Sequence, residues 1–258
     1  MQRFLLRRLA LTGVTLLLVS LLIFLMARVS GDPSTLLIDD YASSKTLEDL
    51  RISLGLDKSY TEQYWIFLKN AVRGDFGQSI VQKRAVSYLI AERLVATFQL
   101  GLTAFLFSIL VGVPLGVFSA IKRDSLMDQL GKLIALIGQS APPFWIGIML
   151  MFFFAVRLGW VPPSGRQEAT SIILPAVTLG WFFVAANLRL VRSAMLDVLD
   201  SEYIKLARAK GVPRRKIIWK HAFRNALIPP LTFAGITLGS LITGSLVAET
   251  VFAWPGLG

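Results

Sequence analysis

Five long runs with no charged side chain dominate this sequence: Leu9–Ala27, Leu94–Ile121, Leu133–Val156, Ala169–Leu188 and Asn225–Ala248. Their lengths, about 19, 28, 24, 20 and 24 residues, suit the ~20 residues of helix that cross ~30 Å of hydrocarbon. Backbone groups in lipid have to pair within their own segment, so the runs read as helices. A transmembrane barrel would instead show alternating strands of ~10 residues. The expected fold is all-α, a polytopic membrane helix bundle with five spans.

Composition narrows the function classes. Charged residues make up 17% of the 258 and hydrophobic ones 54%, against about 25% charged in a soluble domain. Hydrophobicity excludes disorder, and the apolar runs exclude an ordinary nucleic-acid-binding domain despite a net charge of +11. The chain has no Cys, which removes disulfides, thiolate nucleophiles and zinc–thiolate sites. Its single His, His221, leaves little for a metal cage or a catalytic triad.

Arg3, Arg7 and Arg8 precede the first run. That run exceeds the ~7–15 apolar residues of a signal peptide and no clean cleavage site follows it, so it reads as a retained anchor. The positive-inside rule puts the N-terminus in the cytoplasm. Alternation then places 30–93 outside, Lys122–Lys132 inside, Arg157–Glu168 outside and Arg189–Arg224 inside. The last stretch holds ten Lys or Arg against Asp197, Asp200 and Glu202, the strongest positive cluster of the chain. The domain reading is an N-terminal helix over 1–30, an extracytoplasmic subdomain over 31–93, and a core over 94–258 carrying a cytoplasmic loop at 193–225.

Within 31–93, Gly31-Asp32-Pro33 reads as a turn, and Thr46–Leu54 and Thr61–Val72 have helical spacing. Gly55, Gly74 and Gly77 punctuate them. No ligand constellation is evident, and a packing role is the expectation there.

No catalytic motif is present: neither a G-x-x-x-x-G-K-[ST] loop nor H-E-x-x-H, nor G-x-S-x-G. The runs themselves hold no Asp, Glu or His, with Glu249 just beyond the fifth. Ion-driven carriers keep such groups at membrane depth as relays, so the energy for any transport comes from elsewhere. The runs are rich in Pro and Gly (Gly112, Pro114, Gly116, Pro142, Pro143, Pro175, Pro229, Pro230, Gly235, Gly239, Gly244), which suits close helix packing and bending. Polar Gln99, Gln139, Ser140 and Asn187 are the candidate pore-lining residues.

The most informative stretch is the basic loop from Asp200 to Pro229, which reads as two short helices broken once. Asp200 or Ser201 caps the first, with Tyr203, Leu206 and Ala207 on its apolar side. Gly211 sits where the helix stops, a position that favours left-handed φ. Pro213 suits the first turn of a second helix, whose apolar side is Ile217, Ile218, Ala222 and Phe223. From the residues alone, a partner-docking element and a membrane-surface amphipathic helix fit equally.

The loop resembles the cytoplasmic loop of binding-protein-dependent ABC importer permeases, whose pattern is E-A-A, three residues, Gly, and later I-x-L-P. Here the pattern reads Lys205-Leu206-Ala207, then Gly211, then Asn225-Ala-Leu-Ile-Pro229, without the Glu. That departure resembles the dipeptide/oligopeptide/nickel/glutathione branch, as do Ala207–Val212 (A-R-A-K-G-V) and His221–Ala226 (H-A-F-R-N-A). Gly31-Asp32-Pro33, Leu54-Gly-Leu-Asp57, Gly74-Asp-Phe-Gly77, Ile173-Leu-Pro175 and Glu249-Thr-Val-Phe-Ala-Trp-Pro-Gly-Leu-Gly258 match in order along nearly the whole chain.

The resemblance implies a type I importer permease in a bacterial cytoplasmic (inner) membrane, half of a heterodimeric pore formed with a second permease. It implies two ABC ATPase subunits that bind ATP and Mg, an extracytoplasmic solute-binding protein, and no cofactor or catalytic residue in this chain. Tyr203, Lys205, Leu206, Ala207, Arg208, Ala209, Lys210, Gly211, Val212 and Pro213 would form the ATPase-coupling loop. Family chains continue past Gly258 with a sixth span, so five spans imply a C-terminally incomplete chain. The solute that the resemblance implies is small, a di- or oligopeptide or related compound, and the sequence does not name it further. A membrane sensor or assembly protein with a ligand-binding outer loop is the alternative reading.

Overall fold

The computed structural model describes residues 2–29, 52, 55–79, 81–243 and 245–258. Their regular structure is helical, apart from one isolated antiparallel bridge between Gln78 and Ala85. The expected Gly31-Asp32-Pro33 turn, the helix over Thr46–Leu54 (Ile52 excepted) and Gly244 lie outside the described residues. The chain divides into two compact units, residues 1–89 and 90–258, which are considered separately.

In the first unit, α1 (Gln2–Val29) is long and apolar enough to cross a membrane, with none of its most apolar stretch buried. α2 (Tyr60–Val72) forms at the expected place, with Ser59 at its N-cap accepting from the Glu62 amide at 3.4 Å. Tyr64 joins the two: its hydroxyl lies 2.9 Å from that of Ser20 and donates to the Leu17 carbonyl at 3.1 Å. Its ring centroid is 5.4 Å from that of Phe24.

The second unit is a bundle built on α3 (Val86–Ile121) and α6 (Ile173–Leu199), both long and apolar enough to span. Small residues set their contact. A Cβ at Gly112 would come within 2.8 Å of the Asn187 Cβ and the Val184 carbonyl, and one at Gly116 within 2.8 Å of Leu188 and Val191. Leu102, Leu106 and Leu110, at helical spacing on α3, instead face outward. Large apolar groups outside and small ones between helices are the arrangement expected where lipid is the solvent, because the tails give no hydrophobic drive to bury Leu.

The third apolar run is broken. α4 (Leu126–Ser140) and α5 (Pro143–Leu150), continued by a π-helix over Met151–Arg157, meet at 110°. Pro143 occupies the first turn of α5, and Pro142 is its N-cap. The pair still traverses the bundle. Ser119, near the end of α3, bonds Asp128 at the start of α4 at 2.5 Å, whereas Arg166, beyond the π-helix, reaches Gln99 near the other end at 2.7 Å. Residues 99 and 119 of one helix are separated by about 30 Å of axial rise. The run is therefore a broken span, not a re-entrant loop.

A 3₁₀ turn (Ala169–Ile172) leads into α6. That helix continues past the apolar run to Leu199, because Val191 and Met195 keep its buried face apolar. Residues 193–199 are thus its last two turns, and the loop proper begins at Asp200. α7 (Glu202–Ala209) follows, then α8 (Arg214–Lys216), a π-helix (Ile217–Ala222) and α9 (Phe223–Ala226) in succession. The fifth run gives α10 (Ile228–Thr243, 16 residues) and α11 (Leu246–Val251). Ala226 lies in the cluster of Val117 and Ala120, and Leu241 and Ala248 in that of Ala96 and Leu100. α10 therefore also runs from one end of α3 to the other. We call the Val117 end the basic end and the Ala96 end the far end.

Candidate functional site

The basic loop is two helical limbs folded over the basic end of α3 and α6. Ile204, Ile217, Ile218 and Ala222 are buried together with Val117, Ala120, Val191 and Met195, and Ala207, Val212 and Phe223 pack at the margin. α7 ends in a Schellman turn. The Val212 amide donates to the Ala207 carbonyl at 3.1 Å and the Gly211 amide to Arg208 at 3.0 Å, with Gly211 at φ +75°. Both bonds satisfy carbonyls that the helix end would leave open. Pro213 lies one position earlier than expected, at the N-cap of α8, where its carbonyl accepts from Lys216 and Ile217.

The two limbs present a different face outward. Tyr203 and Leu206 are exposed on α7, as is Trp219 on the second limb, where its ring packs edge-on to Phe223 at 5.4 Å. The Tyr203 hydroxyl bridges the limbs by accepting from Asn225 Nδ2 at 2.8 Å. Lys205 pairs with Glu202 at 2.8 Å, and Arg208 donates to the Leu199 carbonyl at 3.3 Å. Ala209 and Lys210 are exposed. Sequence spacing grouped Tyr203, Leu206 and Ala207 on one apolar side; the structure turns Ala207 inward beside Ile204 and leaves the other two outside. Ile204, missed as the anchor of α7, carried a signal in its three-residue spacing from Ala207.

Beneath the loop, Asp128 fixes three helices at once. Its carboxylate is fully buried and receives Arg192 of α6 at 2.6 and 2.8 Å. The Ser119 hydroxyl of α3 donates at 2.5 Å, the Asp124 amide at 3.0 Å, and Lys132 pairs at 2.9 Å. A buried carboxylate is tolerated only when its lone pairs are filled in this way.

Beside this cluster opens a cavity of about 710 Å³ between α4, α6 and Phe233 of α10. Gln139 and Ser140 line it, as do Lys132, Arg189 and Arg192. The other two pore candidates lie elsewhere. Asn187 is buried against α3, with its amide 3.5 Å from Ser108, and Gln99 binds Arg166 at the far end.

At that far end the motif Glu249–Gly258 folds back on α3. Buried Glu249 accepts from the Thr97 hydroxyl at 2.7 Å and the Gly258 amide at 2.6 Å. Thr97 Oγ1 accepts from the Leu257 amide at 2.9 Å, and the Trp254 indole donates to the Ala96 carbonyl at 3.0 Å. Arg166 stacks over Trp254, 5.7 Å from the ring centroid.

Comparison with known proteins agrees with this architecture. Residues 112–258 match the family described as binding-protein-dependent transport system inner membrane component, and residues 1–101 match the N-terminal region of such membrane components. The glutathione transport system permease protein GsiC of Pectobacterium atrosepticum is 42% identical over 245 residues, 95% of this chain and 80% of the relative. GsiC of Escherichia coli K12 is 40% identical over the same shares. GsiC of Salmonella typhimurium LT2 is 39% identical over 100% of this chain and 85% of its own length. Among solved structures, the MetNI methionine ABC transporter in an inward-facing conformation matches with a TM-score of 0.53 and 25% identity, covering 66% of this chain and 77% of that one. With helices of spanning length, a bent loop at one end and matches along its whole length, the chain belongs to the binding-protein-dependent ABC importer permeases, as a multi-pass inner-membrane component.

Proposed function

We propose that this permease forms half of a solute pore with a second permease, and that the two ATPase subunits of the complex dock on the bent loops of the two permeases, one of them on the outward face of the Gly211 loop. The observation that carries this reading is the division of that loop. Ile204, Ile217 and Ala222 fasten it to α3 and α6, while Tyr203, Leu206 and Trp219 stay exposed for a partner. A push on such an element moves the bundle rather than bending the loop alone. Lys205, Arg208 and Lys210 supply positive charge around the apolar patch, and ATP and Mg belong to the docked subunits. A soluble binding protein delivers the solute, and relatives that carry glutathione favour glutathione or a similar small peptide. The positive-inside rule makes the N-terminus cytoplasmic and, independently, the Arg189–Arg224 stretch cytoplasmic.

The test is purification of the chain with its neighbours, followed by ATP-driven glutathione uptake in proteoliposomes. Leu206→Glu should release the ATPase subunits while the permease stays membrane-inserted, and retention of both subunits and uptake would refute the docking assignment. Because the chain has no Cys, Ser164→Cys should react with an impermeant thiol reagent from outside and Lys210→Cys should not. The opposite labelling would reverse the orientation.

A further inference from the structure

We infer that the cavity between α4 and α6 binds the carboxylate of the transported solute, with Arg189 as the residue that recognises it. This rests on the pore reading above and adds the chemistry of the cargo to it. The cavity is about 710 Å³, within the range of ~300–1,000 Å³ that small-molecule sites occupy. Three cationic side chains line it, Lys132, Arg189 and Arg192; Lys132 and Arg192 share the carboxylate of Asp128, and Lys132 also lies 4.0 Å from that of Asp124. The surplus charge of the site therefore rests on Arg189.

Arg189 carries that surplus in usable form. Arg192, one turn further along α6, is locked by its two bonds to Asp128. Arg189 is exposed in the cavity and has no hydrogen bond or ion pair among the described residues. A guanidinium offers a planar fork of donors that matches a carboxylate in bidentate geometry. The rest of the wall, including Phe233, is mainly apolar, which suits the body of a small organic acid or peptide better than an inorganic ion.

The polar groups are also ordered along the path. Gln139 lies seven residues from Lys132 on α4, about 10 Å by helical rise. The neighbours fix the direction: Gly138 abuts Ala185, while Asp128 bonds Arg192. Gln139 and Ser140 therefore sit toward the far end, and the cations toward the basic end. A solute moving between them passes from neutral hydrogen-bonding groups to a positive field, which draws an anion inward and disfavours a cation.

The test uses the assembled complex in proteoliposomes, with glutathione and its diethyl ester as probes that share a peptide body and differ in their carboxylates. Comparing Arg189→Gln with wild type for each probe cancels the selectivity of the binding protein. Arg189→Gln should lower glutathione uptake about tenfold, the value of one charge-assisted hydrogen bond, and change uptake of the ester less than twofold. Arg189→Lys should recover part of the loss. In parallel, without binding protein, glutathione should raise the melting temperature of the detergent-solubilised wild-type complex and not that of Arg189→Gln. Equal losses for both probes would give Arg189 a structural or lipid-headgroup role and overturn the inference, as would equal thermal shifts in the two proteins. ATP-driven uptake that ignores charge would overturn this inference and leave the pore reading standing. Absence of ATP-driven uptake in the wild type would remove both.

Discussion

Near the basic end, α3, α4 and α6 meet at Asp128, a buried carboxylate held by a guanidinium, an ammonium and a hydroxyl. Near the far end, α3 meets the Glu249–Gly258 motif at a second buried carboxylate, which receives a hydroxyl and a backbone amide, with no cation paired to it among the described residues. The two sites do the same geometric task by different physics. At Asp128, charge selects the partner: Arg192 would be left uncompensated without it, whereas Lys132 would keep Asp124 at 4.0 Å. At Glu249, shape selects the partner, because the carboxylate occupies the space that any side chain at Gly256 would need. A charge-keyed joint resists separation and suits the end at which the proposed ATPase docking would apply load. A joint of neutral donors is cheaper to open, since each donor can be replaced by water.

The sharpest way to break this comparison is Asp128→Ala. Removing one partner of a buried ion pair should cost about 3–5 kcal/mol, read as a lowered melting temperature and reduced yield of inserted protein. Glu249→Gln keeps the shape and removes the charge, and should cost less, about 1.5–3 kcal/mol for its charge-assisted bonds. If Glu249→Gln proves as damaging as Asp128→Ala in the same unfolding assay, the distinction between the joints is wrong.

Gly211→Val sharpens the load argument. A β-branched residue at φ +75° should cost about 1–2 kcal/mol from its own Cβ against the adjacent backbone, with no added tertiary clash, because a Cβ there meets nothing else within 4 Å. The bundle should remain folded while solute-stimulated ATP hydrolysis collapses; full coupling in this variant would separate the loop from energy transfer. The smallest effect belongs to Lys132→Gln. Its side chain is half exposed, so the pair should contribute less than about 1 kcal/mol, and the difference should fade as added salt screens it.

The bundle was legible because lipid forbids unpaired backbone, so each uncharged run announces a helix. What escaped were the joints. Asp128 and Arg192 are 64 residues apart, and Thr97 and Glu249 are separated by 152; nothing in local spacing links them. The loop was half legible. Gly211 gave the turn and Ile217, Ile218 and Ala222 gave the buried side of the second limb. On the eight residues of α7, however, the apolar positions are too few for periodicity to decide whether Ile204 or Tyr203 faces the core. Asn187 illustrates the same limit at membrane depth: its polarity marked it as special, and its place against Ser108 depends on a helix far away in sequence.

The broken run at Pro142 and Pro143 has a consequence for how the chain enters a bilayer. Each arm is 15 residues at most, about 22 Å if fully α-helical, so neither crosses the hydrocarbon by itself. Interrupting a helix ordinarily strands amide hydrogens in a medium that cannot solvate them. Here the interruption falls on two imide nitrogens that have no hydrogen to strand, and the Ala141 amide still reaches Ile137 at 3.0 Å. The corner leaves almost no donor unpaired, so the bend itself carries little desolvation penalty in lipid. Both arms can therefore share the hydrocarbon at this angle without a neighbouring helix having to supply acceptors for stranded amides.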